Sequence, residues 1–345
     1  MSANTKIEWC DHTWSPWRGC TKVSPGCANC YAERLSKRNP AVLGKWGKGK
    51  PRVLAKDWEK PVRLNRDFAE AIQLADRCFP YRDRSQDAAH LPRVFPSMCD
   101  PFDEEVPIEW LARFLTLIHD TPNLDWLLLT KRPELWEQRL RDVCGYCQSI
   151  EGDWTLNPAW QFANKWCPWN GIHRFDPPSN VWVGTSVEDQ PNADRRIAQL
   201  LKIPAKIRFL SVEPMLGPVD LKLDHIEVEA SFRHADDCPG FCDFACGGEE
   251  VKGGIDWVIV GGESGRAARP SGVDWIRDIV SQCAAARVPC FVKQLGSNPH
   301  TFCESTSEVT VDLRLRQLRL KHPKGGDPDE WPDDLRVRQL PEVVR

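Results

Sequence analysis

The chain has 345 residues but only three methionines and three tyrosines, and several larger features are missing too. No stretch approaches 18 uninterrupted apolar residues, so no membrane span is expected. Neither sign of charge dominates. Lys+Arg number 46 against 49 Asp+Glu, a formal net charge of −3 with a pI near 6.3. That balance argues against a polycationic coat for nucleic acid and leaves a local basic groove open. The opening MSANTKIEWCDH has no basic segment followed by an apolar one, so no secretory signal is expected and the protein is expected to be cytoplasmic. There is no G-x-G-x-x-G opening a helix and no G-x-x-x-x-G-K-[ST] string, so dinucleotide-fold and P-loop readings are weak. Hydrophobic residues at 41% and charged residues at 28% are a globular composition, not a disordered one.

Cysteine and tryptophan are abundant. Fifteen cysteines, an odd number without an export signal, argue against a disulfide framework and for metal binding or thiol chemistry. Many of the sixteen tryptophans, Trp126, Trp182 and Trp257 among them, lie beside apolar runs and suit core packing.

Six segments share one design, an apolar β-rich run that ends abruptly in polar or small residues. They are RVFPSMCD, DWLLLTKRP, VWVGTSVED, IRFLSVEP, DWVIVGGESG and PCFVKQLG. Such runs suit strands buried on both faces of a parallel sheet. Helical stripes lie between them: Ile108, Leu111, Leu115 and Ile118; Ile197, Leu200 and Leu201; Trp275, Ile276, Ile279, Val280 and Cys283. From Val94 through Trp126, Val181, Ile207 and Trp257 to Cys290 the spacings are 32, 55, 26, 50 and 33, and a βα unit takes about 30 residues, so the two long spacings carry insertions. With a further strand near residues 6–9, the pattern predicts an α/β fold: a (β/α) barrel, partial or complete, over residues 1–300 with cysteine-rich insertions at about 141–180 and 225–254. The charged, proline-rich stretch 301–345 reads as an arm packed on the barrel, with Trp331 as its anchor.

Function gathers at the C-terminal ends of parallel barrel strands. The residues there form a rim: Asp100 and Asp103, Lys131 and Arg132, Ser186 and Glu188, Glu213, Gly261 to Ser264, then Lys293 and Gln294. Glycines at 261 and 262 let backbone approach a ligand closely, and Glu263 can accept from an ammonium or a hydroxyl. Asp100, Lys131, Lys293 and Gln294 are candidate substrate contacts, the lysines for an anionic group. Ahead of the rim, residues 18–31 carry Cys20-x6-Cys27-x2-Cys30 on a Gly/Pro loop. Three thiolates can hold three irons of a [4Fe–4S] cluster and leave the fourth open. Zinc would need a fourth ligand, for which Cys10 or His12 is available.

An open iron at the mouth of a (β/α) barrel is the layout of radical S-adenosylmethionine (SAM) enzymes. The chain also resembles the phage-associated three-Cys-motif proteins, a group related to that superfamily. The resemblance rests on TKIEWCDHTWSPWRGCTKVSPGCANCYAE, SMCDPF, LLTKRPE, VWVGTSVE, IRFLSVEPMLGPVDL, DWVIVGGESGRAARP, VPCFVKQLG and GGDPDEWPDDLRVR, most of the chain. It implies a barrel of the radical SAM/TIM type, a cluster on Cys20, Cys27 and Cys30, bound SAM, an electron donor and a separate three-Cys-motif partner protein. It does not supply a substrate; the phage association and the rim lysines together make a nucleotide or nucleic acid the first candidate for modification or repair through reductive cleavage of SAM. SAM contacts would fall to Tyr31, Ser186, Glu188, Glu213, Gly261, Gly262 and Glu263. The loop departs from the usual C-x3-C-x2-C, and Asn29 stands where an aromatic residue precedes the last cysteine, with Tyr31 one residue beyond that cysteine.

The insertions offer a second metal site, zinc or an accessory Fe–S cluster. His234, Cys238, Cys242 and Cys246 are spaced by four, while Cys144-x2-Cys147 could be joined by Cys167 and His173. Cys78, Cys99, Cys283 and Cys290 read as core residues, Cys99 nearest the rim. The rival functional reading is a non-catalytic zinc or Fe–S module that recognises nucleic acid or a partner protein. A hydrolase built on Asp100, Glu213 and Glu263 with a divalent metal ranks last, because it leaves the cysteine loop unexplained.

Overall fold

The computed structural model describes residues 2–3, 5–79, 91–167, 176–223, 231–233, 249–251, 254–307 and 310–343. Seven parallel strands cross one sheet in chain order: β1 His12–Thr13, β2 Arg93–Phe95, β3 Asp125–Thr130, β4 Val181–Ser186, β5 Ile207–Val212, β6 Trp257–Gly261 and β7 Cys290–Gln294. A short antiparallel piece, Ser2–Ala3, extends the β1 edge. Sequential order without reversal separates this sheet from a doubly wound one, whose strand order turns back at a switch point.

The helices lie between the strands in sequence. Helices α1 (Tyr31–Arg38) and α2 (Glu59–Cys78) follow β1, α3 (Ile108–His119) follows β2, and α4 (Trp136–Ser149) and α5 (Pro158–Trp166) follow β3. Helix α6 (Gln190–Leu200) follows β4 and α7 (Val273–Ala286) follows β6. Among the described residues of the β5–β6 connection, Ser231–Arg233 pairs antiparallel with Glu249–Val251. The fold is mixed α/β, and no described helix is long and apolar enough to cross a membrane.

Each apolar run is buried on both faces because its alternate side chains enter two different cores. Trp126, Leu128, Val181, Val183, Leu210, Val212, Val258 and Val260 meet the helices. Leu127, Trp182, Ile207, Phe209, Trp257, Ile259 and Phe291 face the other way and pack with Trp9, Cys10 and Phe95. That inner cluster shows the curvature of the sheet. Trp9, just before β1, has its ring centroid 6.2 Å from that of Trp257 at the start of β6. Five strand spacings in a flat sheet would separate them by about 24 Å, so the sheet curls into a half-barrel with aromatic rings filling its concave side. Gly184 belongs to the same packing, since a Cβ there would lie 2.4 Å from the Phe209 ring on the neighbouring strand.

Among the described residues the sheet does not close. The β7 edge pairs with the C-terminal arm, through Val292 N–H to the Val337 carbonyl at 2.8 Å and Gln339 N–H to the Cys290 carbonyl at 2.8 Å. Arg338 then reaches across the seam to Glu8 ahead of β1, at 3.0 Å, with its guanidinium over the Phe291 and Trp331 rings. Trp331 is buried and donates to the Gly325 carbonyl at 2.9 Å.

Two local expectations need correcting. Residues 6–9 form a turn, closed by Cys10 N–H to the Ile7 carbonyl, that folds Trp9 into the barrel, and the first parallel strand begins at His12. Cys78, expected in the core, is exposed at the end of α2, because Pro61 is the only buried residue of that helix. Cys283 and Cys290 are buried.

Candidate functional site at the mouth of the half-barrel

On the concave face, side chains two residues apart point the same way, and three neighbouring strands pass from bulky to small to acidic. Along β4 the series is Trp182, Gly184, Ser186, Glu188; along β5 it is Ile207, Phe209, Ser211, Glu213; along β6 it is Trp257, Ile259, Gly261, Glu263. Lys131 beyond β3 and Lys293 on β7 complete the ring of charge. An aromatic floor therefore lies below a charged mouth.

The three-cysteine loop crosses this mouth, and four strand ends hold it. Glu188 accepts from Gly26 N–H at 3.2 Å, from Lys131 Nζ at 3.3 Å and from Arg196 Nη1 at 2.8 Å. Gly26 is needed at that contact, since a Cβ would lie 2.8 Å from the Glu188 carboxyl carbon. Glu263 accepts from Asn29 Nδ2 at 3.0 Å and from Arg269 Nη2 at 2.6 Å, and Arg269 also donates to the Pro25 carbonyl at 2.9 Å. The Tyr31 hydroxyl donates to the Ser97 carbonyl beyond β2. Arg132 donates to Asp100 at 2.7 Å, to the Thr21 carbonyl at 2.7 Å and to Cys20 Sγ at 3.6 Å.

Burial works against ionisation here and paired charges work for it. Burial would raise the Glu188 pKa, but Lys131 and Arg196 outweigh it and hold the carboxyl down at about 2. Glu263 is lowered in the same way, burial being overcome by Arg269 and Asn29. Burial pushes the Cys20 thiol up to about 12, Asp100 adds to that, and Arg132 opposes it. Cys30 is raised by burial against the amides of Glu33 and Ala32 at the start of α1.

The predicted rim residues do different jobs. Asp100 is buried and fully engaged, accepting from Thr130 Oγ1 at 2.7 Å, Lys131 N–H at 3.0 Å and Phe102 N–H at 3.0 Å as well as from Arg132. Gln294, also buried, bridges Glu213 and the Gly262 carbonyl. Gly261 and Gly262 are required by the adjacent chain rather than by approach to a ligand, since Cβ atoms there would lie 3.1 Å from the Gln294 carbonyl oxygen and 2.2 Å from that of Leu295. Ser186 is buried and its carbonyl accepts from Arg196. Glu213 and Lys293, paired at 2.7 Å, keep about a fifth of their side-chain surface open, as does Lys131. These three are the charged side chains of the mouth best placed to meet a small molecule.

Sequence reading missed Arg52, Arg196 and Arg269. Arg52 is buried against Asp103 at 2.7 Å and reaches Thr21 at 2.8 Å. A signal existed for Arg196, a cation at an apolar-stripe position one residue before Ile197. Arg52 meets Asp103 from a segment 51 residues away, and Arg269, which pairs with Glu263 six residues before it, reaches the loop through the distant Pro25 carbonyl.

Thiols are the donor type that an iron–sulfur group takes. All three loop thiols are partly buried at the mouth, Arg132 faces one sulfur, Ser24 Oγ lies 3.7 Å from another, and the start of α1 faces the third. Burial holds the Cys99 thiol well above its ordinary value, with Asp100 and then Cys20 adding to that. Among the described residues, Cys20, Cys27 and Cys30 and also Cys144, Cys147 and Cys167 included, no three His, Cys, Asp or Glu side chains form a group that could hold a metal ion. Cys10 is buried with its thiol toward the Ile7 carbonyl, and His12 lines a pocket with Pro92, Asp125 and Pro341 at the opposite end of the strands. Cys144, Cys147 and Cys167 are brought together in the core by α4 and α5, with the Cys144 thiol raised to about 12 by burial and then by the other two. His173, His234, Cys238, Cys242 and Cys246 lie outside the described residues.

Comparison with curated proteins and with solved structures returned no match. One family model, described as "Protein of unknown function (DUF5131)", matches residues 4–320, a span that takes in all seven parallel strands and the cysteine loop, and the chain therefore belongs to that family.

Proposed function

We propose that the protein is a radical SAM-like iron–sulfur enzyme, with Cys20, Cys27 and Cys30 as cluster ligands. The observation that carries the reading is the placement of the three-cysteine loop. It lies across the C-terminal mouth of a parallel half-barrel, clamped by Glu188, Glu263 and Arg132 over an aromatic floor. Parallel barrels do their chemistry at that end, and the likeness to the three-Cys-motif proteins points the same way.

Bound there, a [4Fe–4S] cluster would supply the electron for reductive cleavage of SAM. The chain's own residues define what surrounds that chemistry. Glu188 and Glu263 are committed to the loop, so they act as positioning residues and hold the thiols in place. Arg132 favours a thiolate at Cys20 by placing a cation beside the sulfur. Glu213, Lys293 and Lys131 supply an acceptor and two cations for a zwitterionic ligand such as SAM. The Trp182, Phe209 and Trp257 floor excludes water from below.

The test is anaerobic reconstitution with iron and sulfide, then reduction and EPR spectroscopy with and without SAM, with an assay for 5′-deoxyadenosine. The expected result is a [4Fe–4S]⁺ signal that changes on adding SAM, product formation, and loss of both in Cys27→Ala. Zinc alone, or a cluster indifferent to SAM, would overturn the reading and favour a binding module.

A further inference from the structure

The near-neutral charge of the chain conceals a strong asymmetry. Residues 18–66 contain thirteen Lys/Arg and three Asp/Glu, so the acidic surplus lies elsewhere. This stretch is the cluster loop, α1, the glycine-lysine loop at 44–50 and the start of α2; its loop segments border the mouth on the β1–β2 side, while α2 by Asn65 has reached Asn123 ahead of β3, at the opposite end of the strands. Lys22 and Lys37 pair with Glu33, and Lys60 pairs with Asp57. Arg38, Lys45, Lys48, Lys50 and Lys56 are exposed, and among the described residues none of them has an ion pair.

The 44–50 loop, GKWGKGK, is fixed in place. Gly44, Gly47 and Gly49 take positive φ values of 74°, 119° and 68°, which side chains disfavour. Gly47 N–H donates to the Cys20 carbonyl at 3.0 Å, and Gly49 N–H to Glu105 at 2.8 Å. Arg52 donates to the Gly47 and Lys50 carbonyls at 3.3 and 2.9 Å. Three free lysines are thereby presented beside the first cysteine of the cluster loop. Beyond that loop, Arg34 ties α1 to the Ser264 carbonyl at 3.1 Å, and Arg266 is exposed there. Glu59 and Glu104 are exposed carboxylates on this side, and Glu105 is engaged by Thr21, Gly49 and Arg52.

We propose that the 44–50 loop, with Arg38, Lys56 and Arg266, docks the phosphate backbone of a nucleic-acid strand and lays it across the mouth. A small anion is held by convergent, buried donors. Exposed, unpaired cations spread along a rim instead suit a linear polyanion, which binds them with release of counterions. As an account of substrate class, the inference rests on the enzymatic reading above. As a binding surface it requires no iron.

The experiment is fluorescence anisotropy of the metal-free full-length chain with a labelled single-stranded oligonucleotide, DNA and RNA in separate arms, over a series of KCl concentrations. Lys48→Glu/Lys50→Glu is expected to weaken binding about tenfold near 0.1 M salt and to flatten the salt slope by roughly one to two. Lys48→Arg/Lys50→Arg is expected to bind as the native chain does. Lys202→Glu/Arg287→Glu, at the opposite end of the strands, is expected to leave binding unchanged, with thermal melts confirming that all variants fold. Native-like binding by the Lys48→Glu/Lys50→Glu variant would overturn the proposal. So would an equal loss in the Lys202→Glu/Arg287→Glu control, or equal affinity for heparin or anionic vesicles. Because the cluster is absent from this assay, its failure leaves the cluster reading standing, and a failed reconstitution leaves this surface standing.

Discussion

Glu188 is the residue on which most of the mouth converges. Its side chain is fully buried, and it is bound by a lysine from the next strand, an arginine from α6 and an amide of the cysteine loop. Its pKa lies at about 2 against an ordinary value of 4.5. A carboxyl that is more acidic folded than unfolded contributes stability that is fully present above the unfolded value and lost as pH falls toward the folded one. The metal-free protein should therefore lose roughly 3 kcal/mol from this group between about pH 4.5 and 2. Urea titrations at a series of pH values check this. Glu188→Gln should remove that part of the pH dependence, and at neutral pH it should be less stable by about 3 kcal/mol or more, since Lys131 and Arg196 are left uncompensated. A variant with the same acid limb as the native chain would show that other carboxylates carry it.

At the scale of elements, two glycines of one chain have opposite meanings. Gly262 follows β6, where a Cβ would lie 2.2 Å from the Leu295 carbonyl oxygen, a backbone atom that cannot rotate away. Gly145 is inside α4, where a Cβ would meet nothing within 4 Å. Gly262→Ala should cost about 2 kcal/mol or more by forcing β6 and β7 apart, while Gly145→Ala should stabilise by about 1 kcal/mol through helix propensity. Denaturant midpoints of the two variants should move in opposite directions. The run VIVGGESG announces a strand that ends in a glycine turn, but the demand on its second glycine comes from a segment more than thirty residues later. Six of the seven parallel strands were legible, because their apolar runs are long and end sharply. The first was misplaced toward residues 6–9, because Trp9 enters the barrel from a turn and gives a short apolar string no strand pairing.

The whole molecule depends on a seam. A half-barrel has two free edges, which are open to pairing with other chains. Here the C-terminal arm covers β7, and Arg338 joins it to Glu8 near the first strand while lying over Phe291 and Trp331. The ion pair is partly exposed and weak on its own, and the ring contacts add to it, so Arg338→Ala should cost about 1–2 kcal/mol. Hydrogen exchange should become faster at residues 290–294, and Arg338→Lys should restore part of the protection. Unchanged exchange along β7 would show that the backbone pairing alone seals this edge.

The sequence by itself determined the class of fold and the chemical character of the mouth. Apolar runs with polar ends at near-regular spacing specify parallel strands and their functional ends, and a three-cysteine spacing on a Gly/Pro loop is a local signal. What each rim residue does was decided only in three dimensions. Ser186, Glu188, Glu213 and Glu263 look alike along the chain, each just past or at the end of an apolar run. Burial and partners separate them, so that Glu188 and Glu263 clamp the loop while Glu213 faces the opening with Lys293. The same holds for Arg52, whose partner Asp103 comes from a distant segment, while Arg196 and Arg269 pair with nearby Glu188 and Glu263 that are tied to the loop only in the fold. A charge is read from one residue, but its environment is set by neighbours that only folding brings together.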